Sequence, residues 1–156
     1  MIAIQLENGT IKTFNSIPKD WGNVVGGFNT LSGSDLETYG FYDVVTPVIK
    51  NSQKLGAIEW SEQYSVFLYP VENKEFSQSL AEMKAQKIEN LKAIYASELA
   101  KTDWIIIRDQ ELGNATDSDV LTARATLRTN CATKEEAING KTTKAYVADY
   151  SLPSFI

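Results

Sequence analysis

With 156 residues, 43% of them hydrophobic, the chain is long enough to bury a real core and too apolar for wholesale disorder. Its formal net charge of −5, with no basic cluster in either half, opposes a phosphate backbone and argues against a nucleic-acid partner. With no histidine and one cysteine, Cys131, it cannot build a Ser-His-Asp or Cys-His nucleophile, a histidine metal site, a thiolate zinc site or an intrachain disulfide.

Ile2, Ile4 and Leu6 alternate with polar residues, Asn8-Gly9 offers the two left-handed positions of a tight turn, and Ile11 to Phe14 returns, so a β-hairpin opens the chain. The opening lacks the basic start and long apolar run of a secretory signal, and no stretch reaches the ~20 apolar residues of a membrane span. The expectation is therefore a soluble protein made in a cytoplasm, with no membrane partner and with a homo-oligomer left open. Gly22, Gly26, Gly27 and Gly33 mark a connector; Gly26-Gly27 lacks the Lys-Ser/Thr of a phosphate loop.

Ser34 to Glu37 fits a short helical turn ahead of Gly40, and Phe41 to Val45 is a strand stopped by Pro47. Lys54 to Trp60 and Tyr64 to Val71 then form an antiparallel pair, the second of them apolar on both faces. The aromatics of this half, Trp21, Phe41, Tyr42, Trp60, Phe67 and Tyr69, are expected in its core.

Phe76, Leu80, Met83, Ile88, Leu91, Tyr95 and Leu99 recur at steps of mostly three or four and predict a long amphipathic helix. Asn73, Ser77 and Ser79 are its candidate N-caps, Ser79 with Glu82 having capping-box spacing. Lys84, Lys87, Glu89, Lys92 and Glu98 are expected on the solvated side. Trp104 to Ile107 is a β-branched run that fits a short strand or the first part of a turn packed on that helix. Thr116 to Asp119 opens another helix through Cys131; Thr133 to Glu136 and Gly140 bracket a further short one. The end, Leu152 to Ile156, is apolar, with Phe155 expected to dock on a neighbouring chain or on the protein's own body.

Leu91-Lys92 to Leu99-Ala100, then Thr102-Asp103-Trp104, a polar link through Asp109-Gln110-Glu111, and Ala123-Arg124-Ala125-Thr126-Leu127-Arg128 follow one another in a specific order. This order resembles the C-terminal module of tail-assembly chaperone and tail-fibre-associated proteins of tailed bacteriophages: a helix, a T/S-D-W step and a closing helix with a YRxxLR pattern. Arg124, Leu127 and Arg128 match; Ala123 stands where an aromatic is usual and Val120 where a tryptophan is usual. The resemblance implies a non-enzymatic role in tail or tail-fibre assembly, with phage tail, fibre or baseplate proteins as partners. The alternative is a permanent subunit of the virion tail, baseplate or fibre attachment. It also implies residence in the host cytoplasm during assembly, or in the virion tail for the subunit.

The fold class expected is α+β: an N-terminal antiparallel β region over residues 1–75, a long helix and small helical module over 76–141, and an apolar tail over 142–156. No metal or cofactor is expected; Asp117-Ser118-Asp119 lacks the remaining ligands of a calcium loop and suits helix capping better. Candidate partner-binding residues are Trp104, Arg124, Leu127, Arg128 and Phe155. Trp104 has two readings, an indole filling the angle between helices or an anchor in a partner's pocket. Arg124 and Arg128, one helical turn apart, either grip carboxylates or carbonyls of another chain or form internal salt bridges with Asp103, Asp109 or Glu111.

Overall fold

The computed structural model describes residues 1–155; Ile156, the last residue of the expected apolar tail, lies outside the described residues. The fold is α+β, and the chain divides into two compact units, Met1–Lys74 and Glu75–Ile156.

In the first unit β1 (Ile2–Gln5) pairs antiparallel with β2 (Ile11–Phe14), Ile2 opposite Phe14. The hairpin is as expected, but its turn is not. The Gly9 N–H donates to the Leu6 carbonyl and the Leu6 N–H to the Thr10 carbonyl, both at 2.8 Å, and Gly9 alone takes a positive φ, +81°. This is a three-residue loop ending in a glycine bulge, because Asn8 uses its side chain instead of a left-handed backbone: its Oδ1 accepts from the Thr10 N–H.

A short helix, α1 (Gly33–Thr38), is capped by Ser32, two residues before the expected Ser34, in a reciprocal box with Asp35. It leads into β3 (Phe41–Val45), which pairs antiparallel with β1. The expected later pair is present but divided in two. β5 (Glu59–Ser61) lies antiparallel to β6 (Val66–Leu68), while β4 (Gln53–Leu55) and β7 (Val71–Asn73) form a separate two-stranded ribbon. Gly56 and Pro70 stand at the division, where proline cannot donate to a ladder, though its carbonyl accepts from the Gly56 N–H at 2.7 Å. The main sheet runs β2-β1-β3-β6-β5 and contains one parallel pairing, β3 with β6, which a reading of adjacent hairpins does not foresee.

Phe28, Phe41, Leu36 and Ile4 form its core, with Phe14 and Trp21 packed against them; Trp21 meets Phe41 edge-to-face at 4.8 Å. Tyr42, Trp60 and Phe67 make a second aromatic group, in which Phe67 is buried. The expected core role holds for buried Phe41 and Phe67, with Trp21, Tyr42 and Trp60 packed on them, while Tyr69 is only half-buried.

In the second unit α2 (Leu80–Ala100) starts at Ser79, whose hydroxyl accepts from the Glu82 N–H while the Glu82 carboxylate accepts from the Ser79 N–H at 2.7 Å. α3 (Asp103–Glu111), α4 (Ser118–Asn139) and α5 (Lys144–Asp149) follow. Lys92 meets Glu135, Lys84 meets the Asn139 carbonyl and Arg124 meets the Leu99 carbonyl, so α2 and α4 run antiparallel. Leu91, Tyr95 and Ile138 form the core between them, with Ile88, Leu127, Cys131, Tyr150 and Leu152 against it. The α2 stripe is thus covered within the chain.

Three expectations are corrected here. Trp104 to Ile107 is helical, neither a strand nor a turn: the modest helix penalty of isoleucine, about 0.4 kcal/mol each, is outweighed by a half-buried side made of Thr102, Ile105, Ile106 and buried Asp109, at spacings of three and four. Residues 118–139 form one helix, because backbone groups around Thr133 are already paired within it and Glu135 turns instead to Lys92. Lys84, Lys87 and Lys92 do not face away from the packed side; they flank it, reaching the Asn139 carbonyl, the Ala148 carbonyl and Glu135.

Candidate protein-interaction surface

The three segments of the resemblance meet around Arg124. Nearly buried at 8% exposure, it donates through Nη1 to the Leu99 carbonyl at 2.7 Å and to the Thr102 hydroxyl, and through Nη2 to Asp103 Oδ1 at 2.7 Å. One guanidinium therefore ties the last turn of α2, the Thr102 step and the first turn of α3 to α4. The Leu99 carbonyl is among those left without an intrahelical partner at a helix end, which a cation satisfies well. Arg124 was a candidate for gripping another chain; its donors are used within this one, so the internal salt bridge is the arrangement found, with Asp103 as its carboxylate. Asp109 is held instead by Arg108, from Nη2 at 2.7 Å.

Trp104 does not fill the angle between helices. It is 58% exposed, with the Arg108 guanidinium 5.0 Å from its ring centroid. Ile107, one turn on, is 55% exposed, and Leu112 and Leu121 are also exposed. Leu127 belongs to the core side of α4, and Phe155 lies edge-to-face on Tyr95 at 5.3 Å while remaining part exposed. Of the five candidate residues, Arg124 and Leu127 hold the unit together, while Trp104, Arg128 and Phe155 offer surface.

Arg128 is exposed and, among the described residues, makes no hydrogen bond or ion pair. It stands at the edge of an apolar hollow of about 260 Å³ between α2 and α4. Tyr95, Leu99 and Cys131 supply its apolar lining, and Ala96 and Ala132, small and exposed, keep it open. In the antiparallel register Arg128 lies beside Leu99 at one end, with the Lys92–Glu135 pair, 2.9 Å, at the other. Burial raises the Cys131 thiol pKa above its ordinary value, reinforced by Glu135 and opposed by Lys92, so the thiol stays protonated at neutral pH. Burial raises the Tyr95 phenol as well.

Sequence reading missed Ile107, Leu112 and Leu121 as surface, and missed this hollow. The available signal was the matched spacing Lys92, Tyr95, Ala96, Leu99 and Arg128, Cys131, Ala132, Glu135, each with a small residue at its third position. Among the described residues no cluster of histidine, cysteine or carboxylates could hold a metal ion, and no helix is long and apolar enough to cross a membrane. Comparison of the chain with protein-family models, curated proteins and solved structures finds no match in any of the three.

Proposed function

We propose that this chain is a non-enzymatic bacteriophage tail or tail-fibre assembly protein, acting in the host cytoplasm through contacts with tail, fibre or baseplate polypeptides. The observation that carries the reading is the exposed apolar surface of α3 and the start of α4, where Trp104, Ile107, Leu112 and Leu121 are each half exposed or more. Large apolar side chains left in water mark protein-binding surface. The resemblance supports the direction of the reading, since its Thr-Asp step and first arginine are the groups that hold α3 in place. A sequence without histidine supports contact over chemistry.

The alternative, a permanent subunit of the tail, baseplate or fibre attachment, is favoured by the outer strands β2 and β5, each paired on one side only in its sheet. Co-expression with tail and fibre proteins tests the reading: capture of one of them, lost on Trp104→Ala, is expected, and recovery of none overturns it. Mass spectrometry of purified particles separates the two forms, since stoichiometric presence marks the subunit and absence the assembly factor.

A further inference from the structure

The hollow between α2 and α4 combines an apolar interior with a charge that none of the described residues answers. Glu135 is neutralised by Lys92 at 2.9 Å, and Arg124, one turn before Arg128, is neutralised by Asp103. Arg128 has no such partner among the described residues. A cation with water on one side and Leu99 and Tyr95 on the other is matched by a carboxylate carried on an apolar segment.

We propose that this groove takes an acidic, apolar segment of a partner polypeptide, with an aliphatic side chain seated over Ala96 and Ala132 and an Asp or Glu carboxylate against Arg128. The inference rests on the reading of the chain as a protein-binding module and names the chemistry its partner presents. The alanines are needed because any larger side chain there would fill the hollow; the arginine is needed because an apolar groove alone does not distinguish an acidic segment from a neutral one. Arg128 suits the task better than lysine would, since its planar fork takes both carboxylate oxygens.

Cys131 is the one cysteine of the sequence and lines the groove, so its alkylation by iodoacetamide in alkaline buffer, where some of the thiol is ionised, reports whether the groove is filled. The probes are the blocked pentapeptide acetyl-Leu-Ala-Asp-Ala-Leu-amide and its counterparts with Asn or Lys at the centre, added to the full chain. The Asp peptide is expected to slow alkylation, with the Asn peptide binding roughly fivefold to tenfold more weakly and the Lys peptide weaker again. Arg128→Gln, at an exposed position without a hydrogen bond or ion pair among the described residues, removes that preference while leaving the helix signal unchanged, and Ala132→Leu abolishes protection by all three.

The proposal is overturned if no peptide slows alkylation, if Asp and Asn peptides act equally, or if the preference survives Arg128→Gln. Protection that grows with protein concentration alone would make a second copy the occupant, and would also overturn it. Failure here is distinguishable from failure of the assembly reading. A tail protein captured equally by wild type and Arg128→Gln leaves that reading standing without the groove; peptide protection with no tail protein captured leaves the groove without the phage.

Discussion

Arg124 and Asp103 lie 2.7 Å apart with unequal surroundings: the arginine side chain is 10% exposed and the aspartate 53%. The two ends of this pair are therefore worth different amounts. Truncating the buried partner removes three hydrogen bonds at once, with the Leu99 carbonyl keeping only those from the Lys101 N–H and the Thr102 N–H and hydroxyl, whereas truncating the exposed one returns a guanidinium edge to water.

Arg124→Ala should destabilise the second unit by about 2–3 kcal/mol, since it removes three hydrogen bonds from one nearly buried cation. Asp103→Asn should cost below about 1 kcal/mol, as a half-exposed ion pair. Urea unfolding measures both, and hydrogen exchange should show the α3 amides opening first in Arg124→Ala; equal effects from the two changes would refute the clamp.

Trp104→Ala should shift stability by no more than about 0.5 kcal/mol, the range of an exposed substitution, because its ring is mostly in water. Leu91→Ala, at a fully buried site, should cost about 2–5 kcal/mol. Thermal melts of the two variants side by side check the contrast, and an unfolded Trp104→Ala would place the indole in the core after all.

Acid should loosen the start of α2. Glu82's pKa is lowered, first by its hydrogen bond with the Ser79 backbone N–H and then by that with the Ser79 hydroxyl. A carboxyl with a depressed folded pKa contributes stability above its unfolded pKa and loses it as pH falls through the folded one. NMR titration should find Glu82 below the ordinary glutamate value, with first-turn amides losing protection only in that lower range; Glu82→Gln should remove the dependence.

Gly56→Ala should disturb the β4–β7 ribbon. A Cβ built there meets Glu72 Oε1 at 2.6 Å and Pro70 Cγ at 2.9 Å; the carboxylate can swing away from Lys54, but the proline ring cannot. Overpacking of this kind costs about 1–2 kcal/mol, and denaturant midpoints together with β4 amide shifts would register it. An unchanged ribbon would mean the two strands separate freely.

Local order was written in the sequence wherever a period or a cap acts over a few residues. The alternation of Ile2 to Leu6, the Ser79–Glu82 box, the spacing of Met83, Leu91 and Tyr95 and the stop at Gly140 each express a bond or face formed within one element. What the sequence left open depended on partners distant along the chain. That Trp104 to Ile107 became a helix instead of a strand or turn was decided by Arg124, twenty residues on, and by a half-buried face that exists only once the helices have packed. The parallel pairing of β3 with β6 joins strands separated in the chain by β4 and β5, beyond any local signal. The same holds for the two arginines. They are one turn apart on one helix and alike in sequence, yet tertiary packing encloses Arg124 against three oxygen acceptors and leaves Arg128 in water, because burial and pairing belong to the neighbours a residue acquires rather than to the residue itself.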